Sequence, residues 1–329
     1  MEQKPNRFAE IDVLRGTSII LMIMIHTNAY FLSQKIAYIT LELSQFVVVF
    51  FIFCSAYLFF LKPFVLTGES FISYVKKRVV RLVIPYYVFL VFYLVFSFIA
   101  NSKKVTLPYV LNNIFLIGGI DFNWLVLLFI ELSLLFPLIS HFESKRPFIF
   151  SIYTILSFIS SLVLLRYTPL PYYRFVMWLP WSLIPIFTLY FVRNVSAKWF
   201  LTTTLVISSV LFAAAQLFLQ ATKHSLQMYD NKYPPNIYHL SYGIAFLVIF
   251  YLAAKKGLFS FAPIQKTIHF FSVNSYPIFF IHVLVIFVLT VFMKFHFTWI
   301  SFFFVVTGIT VVIQMILNKM FLLFSPKKI

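Results

Sequence analysis

The stretch Arg7–Tyr30, RFAEIDVLRGTSIILMIMIHTNAY, decides how this chain is read. Asp12 and Arg15 stand at the mouth of an apolar run, and His26 lies deep inside it. Arg15 and His26 are eleven residues apart, almost three turns at about 3.6 residues each, so the spacing puts both side chains on one helix face. Along the axis they are roughly 16 Å apart, about half of a hydrocarbon core. One helix can thus hold a cation at the cytosolic surface and an imidazole near mid-membrane.

Composition extends that reading to the whole chain. Of its 329 residues 62% are hydrophobic, 11% are charged and 45 are Phe, which excludes an ordinary soluble domain and implies a polytopic membrane protein. The first apolar segment has acids before it and no small-residue cleavage site, so it reads as a first span rather than a removed signal peptide. Cys54 is the only cysteine, which excludes an intrachain disulfide framework.

The net charge of +17 raises a nucleic-acid partner, but the basic residues are scattered between apolar spans and form no long patch, so none is expected. With a cytosolic N-terminus, eighteen of the 26 Lys and Arg residues fall on the inner side. The other eight, Lys35, Lys103, Lys104, Arg166, Arg174, Lys223, Lys232 and Lys294, fall outside. That asymmetry follows the positive-inside rule.

Ten spans are expected, near 11–31, 41–61, 79–100, 124–141, 148–165, 175–192, 199–219, 238–254, 272–293 and 298–324. The fold class is therefore an all-α integral membrane bundle of about ten helices, with both termini cytosolic. A single domain over 1–329 is the economical organisation, since there is no repeat of fixed period and no linker. Leu107 to Gly118 is apolar but too short to cross, and reads as an interfacial or re-entrant piece. The outer loops 101–123 and 220–237 are either connectors or a landing place for an acceptor.

Ionisable side chains within spans are costly and are functional candidates by default. Arg15, His26, Glu131 and His282 form that set, with Asp12 at the entrance of the first helix. Counting along their spans, His26, Glu131 and His282 can share one layer near mid-membrane. Each also has a structural reading: a neutral histidine can tie two helices together, and Glu131 can pair with a buried histidine or arginine. His141, His224, His239, His269 and His296 sit at span ends or in loops and are given no role. The few dispersed acids offer no metal site. Arg78 and Arg81, three apart at the inner lip, share a helix face suited to binding phosphate or to anchoring on anionic lipid.

Taken together, these residues resemble the acyltransferase 3 family of integral membrane acyltransferases. The resemblance rests on Asp12, Arg15 and His26, on Phe50-Phe51-Ile52-Phe53-Cys54-Ser55-Ala56-Tyr57-Leu58, and on Arg78-Val79-Val80-Arg81 with Pro85. It continues through Trp124-Leu125 leading to Pro137, and ends on Ser275-Tyr276-Pro277-Ile278-Phe279-Phe280-Ile281-His282. Three positions depart from the family pattern: Ala56 stands where glycine is usual, Asn123 where a histidine often precedes the tryptophan, and Phe279 where a second tyrosine is usual.

The resemblance implies a multi-pass protein of the cell membrane, of bacterial type, that moves acetyl or another acyl group from cytosolic acyl-CoA to a hydroxyl of a surface or lipid-linked polysaccharide. It implies Arg15, Arg78 and Arg81 as holders of the donor phosphates, His26 as general base, and Glu131 and His282 as further site residues. The bilayer, acyl-CoA, the glycan acceptor and polysaccharide synthesis or export proteins are the expected partners. A covalent acyl-histidine relay stays open beside direct transfer. Two rivals also stay open: a glycan or small-solute transporter or flippase, for which Pro180 and Pro185 in the sixth span have no matching counterpart, and a non-catalytic subunit of a polysaccharide machine.

Overall fold

The computed structural model describes residues 9–168, 172–293 and 297–324. Lys4, Arg7, Lys294, His296, Lys327 and Lys328 lie outside them. Among the described residues the chain forms helices α1 (Ala9–Asn28), α2 (Lys35–Leu43), α3 (Val47–Phe60), α4 (Gly68–Asn101) and α5 (Leu107–Ile114). There follow α6 (Asn123–Lys145), α7 (Pro147–Val163), α8 (Tyr173–Val176), α9 (Trp178–Trp181) and α10 (Leu183–Asn194). The last five are α11 (Lys198–Ala221), α12 (Ile237–Lys255), α13 (Ala262–Val273), α14 (Ser275–Val288) and α15 (Trp299–Phe324). No strand occurs among them, as a backbone in lipid demands unless it closes into a barrel.

The protein is an all-α membrane protein. Among the described residues, eight helical segments are long and apolar enough to cross a membrane: Lys35–Phe60, Gly68–Lys104, Asn123–Lys145, Tyr173–Asn194, Lys198–Ala221, Ile237–Lys255, Ser275–Met293 and Trp299–Leu323. The other two of the ten expected spans are α1, which carries Glu10, Asp12, Arg15 and His26, and α7, which has only 17 residues. The sixth span is not one rod but the short pieces α8, α9 and α10, with Pro180 and Pro185 among them. The ninth expected span, 272–293, is broken at Asn274, where α13 ends and α14 begins.

The helices fall into two compact units. The first comprises Met1–Ser44, Pro85–Leu107 and Phe259–Ile329, and the second Gln45–Ile84 and Pro108–Leu258. In the first unit α1 is the central helix, packed by α2, α13, α14 and α15, and Leu14, Ile19 and Ile23 are fully buried. Its approach to α13 requires Gly16, because a Cβ there would lie 2.4 Å from the Ile268 carbonyl oxygen. Small residues let membrane helices pack this closely. The later half of α4 lies on α14, with Phe89 against Phe280 and Tyr93 against Phe287 at ring separations of 5.2 and 4.9 Å.

In the second unit α3 is apolar on every side and buried on nearly every side, the pattern of a helix surrounded by others. It packs on α6, α10 and α12, with Phe53 edge-on to Phe191 at 4.9 Å. The segment Leu107 to Gly118 forms the eight-residue α5 and a turn. Asn113 Oδ1 accepts from the Ile120 and Asn123 side of that turn, and Gly119 passes it with φ 85°, where a Cβ would collide with the Asn113 amide. Outward faces are apolar, as on α7, where Phe148, Ile152, Ile155, Leu156 and Ile159 are exposed. Such a face suits lipid.

Candidate active site

Within the first unit the structure brings together two of the residues singled out in the sequence. His26, on α1, lies with Nδ1 2.8 Å from Nε2 of His282 on α14. Their ring centroids are 5.0 Å apart with planes only 12° from parallel. So short a nitrogen–nitrogen distance permits so long a centroid separation only if the rings lie edge to edge. That is hydrogen-bond geometry and not face-to-face stacking. Phe279 walls both imidazoles, 6.2 Å from His26 and 5.8 Å from His282. One of the departures from the family pattern therefore touches the histidine pair.

The tautomers follow from the partners. His282 Nδ1 lies 2.9 Å from the Ile278 carbonyl, one turn earlier on its own helix, and a carbonyl can only accept. His282 therefore carries its proton on Nδ1 when neutral, and its Nε2 accepts. The bond to His26 then requires the proton on His26 Nδ1. Neutral His26 is left with a proton-accepting Nε2. His282 is fully buried, whereas His26 keeps partial exposure, so the buried ring orients and the accessible ring can react.

At the start of α1, Asp12 ties the helix to α13. Ser272 Oγ donates to Asp12 Oδ1 at 2.7 Å, and His269 Nδ1 lies 3.5 Å from Asp12 Oδ2. His269 was given no role in the sequence because it stands near a span end. Its position one turn before Ser272 on α13 explains the contact. Arg15, one turn beyond Asp12, is partly exposed.

Glu131, Arg78 and Arg81 belong to the second unit. Glu131 stands on α6 with Oε2 buried and without a hydrogen-bond partner among the described residues. Arg78 sits over the Tyr74 ring at 5.4 Å, one turn away on α4, and Arg81 is exposed.

Sequence reading missed a polar cluster in the same unit. Lys232, assigned to an outer loop, is 4% exposed; its Nζ donates to Gln45 Oε1 at 3.1 Å and sits over the Trp124 and Tyr233 rings at 5.5 and 5.3 Å. Arg174 is likewise buried, donating to the Leu116 carbonyl at 2.9 Å and to Asn123 Oδ1. Asn123 thus fills with an amide the position where the family pattern often has histidine. His239 is fully buried against Trp181, at a ring separation of 5.7 Å. The available signal was Asn236, which caps α12 by accepting from the His239 amide and so places that histidine in a buried first turn. Tyr233, in the same loop as Lys232, meets Trp124, Tyr173 and Tyr229 edge-on, and desolvation, reinforced by Tyr229, Tyr173 and Asp121, holds its phenol well above its ordinary range.

No group of three or more metal-ligating side chains occurs among the described residues. The comparisons with known proteins bear on the histidine pair and on the chain around it. An acyltransferase domain, that of the acyltransferase 3 family, matches residues 8–319. No curated protein and no solved structure matches the chain. The match runs from just before α1 to within the last turns of α15, so it takes in both histidines and all three candidate arginines. The chain belongs to the acyltransferase 3 family of membrane acyltransferases.

Proposed function

We propose that this acyltransferase is an acyl-CoA-dependent O-acyltransferase, with acetyl as its acyl group, acting on a hydroxyl of an extracytoplasmic or lipid-linked polysaccharide in the cell membrane. One domain over 1–329 performs the reaction. The observation that carries the reading is the hydrogen bond between His26 and His282. It supports an imidazole poised as a base, which acyl transfer to an alcohol needs.

In this mechanism His26 Nε2 takes the proton of the acceptor hydroxyl as its oxygen attacks the thioester carbonyl carbon. The new C–O bond forms, the C–S bond breaks, and the departing thiolate takes the proton back from His26. While His26 is cationic, its Nδ1–H donates to His282 Nε2, and the Ile278 carbonyl keeps His282 in the accepting tautomer. Arg15, Arg78 and Arg81 are assigned to the donor phosphates, for which guanidinium groups are suited. Glu131 is assigned to the acceptor, because a buried carboxyl oxygen without a partner among the described residues calls for a donor, and sugar hydroxyls supply one.

The test is acetyl transfer to surface glycan in cells carrying His26→Ala at matched protein level. Loss of transfer is expected, and undiminished transfer would remove the imidazole from the reaction. Thermal stabilisation of the purified protein by coenzyme A separates this reading from a transporter or a non-catalytic subunit, which have no need to bind it.

A further inference from the structure

Helix α15 carries a row of polar side chains that neither the histidine pair nor the bundle's own hydrogen bonds account for. Thr307, Thr310, Gln314 and Asn318 recur at intervals of three and four and so share one face. Thr310 is fully buried and Gln314 is 3% exposed. Gln314 Nε2 is satisfied, donating to Asn274 Oδ1 at 3.2 Å and to Asn318 Oδ1 at 2.8 Å. Gln314 Oε1, Thr310 Oγ1 and Thr307 Oγ1 are buried and have no hydrogen-bond partner among the described residues. Helical threonines ordinarily bond back to the preceding turn, as Thr17, Thr27 and Thr290 do here. Three orphaned groups in one row are costly inside a membrane protein unless something else meets them.

The row leads to the histidines. At its inner end Gln314 is level with Asn274, which caps α14, and His282 is eight residues further along α14, roughly 12 Å. At the other end Phe302 packs on Tyr30 and Phe31 at 5.8 and 5.9 Å, and His26 is four residues before Tyr30, roughly 6 Å. Counted from either anchor, the level of the imidazoles falls at about residue 306 of α15. Thr307 therefore stands at the depth of the histidine pair, Thr310 about one turn below and Gln314 about two. Asn318 is near the level of Arg15, which is eleven residues before His26 on α1.

We propose that this face of α15 is the binding wall for the amide-bearing arm of the acyl donor. The inference rests on the acyl-CoA reading above and deepens it. An extended chain with two amides, running from the level of Arg15 to that of His26, meets an acceptor at Gln314 Oε1 for an amide N–H. It meets hydroxyl donors at Thr310 and Thr307 for carbonyl oxygens. The donor's arm thereby satisfies the groups that the fold leaves open, and its thioester comes to rest beside the imidazole.

Isothermal titration of the full-length detergent-purified protein tests this with three probes: acetyl-CoA, pantetheine, and adenosine 3′,5′-bisphosphate as the nucleotide end alone. Thr310→Val and Gln314→Leu are expected to weaken acetyl-CoA and pantetheine by about threefold to tenfold each, the value of one hydrogen bond, and to leave the nucleotide fragment unchanged. Thr310→Ser keeps the hydroxyl and should retain wild-type affinity. Unchanged pantetheine affinity in both variants, a Thr310→Ser as weak as Thr310→Val, or equal loss of both fragments would overturn the wall. Failure of the wild-type protein to bind acetyl-CoA would instead remove the donor reading itself.

Discussion

His26 Nδ1 donates to His282 Nε2 across 2.8 Å, joining α1 to a helix that begins 247 residues after α1 ends, within a single compact unit. The bond makes the two histidines unequal. One is anchored to a backbone carbonyl and the other presents a nitrogen that can take a proton.

His26→Ala should lower acyl transfer by about a hundred- to ten-thousandfold, the usual contribution of a positioned general base. His282→Phe fills the same space without the nitrogen, and should lower kcat by roughly tenfold while leaving the KM for the donor unchanged. Steady-state kinetics on both variants measures the inequality. Equal kcat values for the wild type and His282→Phe would mean that His282 only fills space.

Arg15→Ala and Arg78→Ala should each raise the KM for acyl-CoA severalfold before kcat falls, because a phosphate-binding group contributes to ground state and transition state alike. Arg78→Lys should recover only part of that loss, since an ammonium cannot reproduce a bidentate fork. A donor KM that stays at the wild-type value in Arg78→Ala would leave this arginine as a lipid anchor.

Gly16→Ala should destabilise the first unit by about 1–3 kcal/mol, because the new methyl group meets the Ile268 carbonyl oxygen at 2.4 Å and α1 and α13 must separate. Thermal unfolding in detergent reads the loss. Gly308→Ala, on α15, meets nothing within 4 Å and serves as the control, with no loss of that size expected.

Lys232→Met keeps the stem but removes the bond to Gln45 and the cation over Trp124 and Tyr233. A loss of about 1–2 kcal/mol is expected, together with faster tryptic cleavage at the exposed Lys223 as the loop before α12 loosens. Cleavage at the wild-type rate would mean that the loop is held by its tyrosines alone.

Much of this protein could be read from one dimension. The spacing of Arg15 and His26, the apolar runs and the scarcity of charge within them identify a helical membrane protein, because a backbone in lipid has few ways to satisfy itself. The eight long spans begin and end within a few residues of the expected limits, apart from Lys35–Phe60 and Gly68–Lys104, which start earlier. His26 and His282 were both legible as buried ionisable groups. That the two share a hydrogen bond was not, because the register between α1 and α14 depends on the close approach of α13 at Gly16 and on the break at Asn274.

Lys232, Arg174 and His239 show the same limit. In sequence they are residues of loops and span ends, where polar side chains ordinarily meet water. Lys232 is buried on Trp124 and Gln45, Arg174 on Leu116 and Asn123, and His239 on Trp181, each a contact between positions far apart in the chain. Sequence determined which segments are helical, which side chains are out of place in a membrane, and the family. Tertiary structure alone decided which of those side chains share a hydrogen bond and which buried groups are left without one, because both depend on packing between helices that periodicity cannot specify.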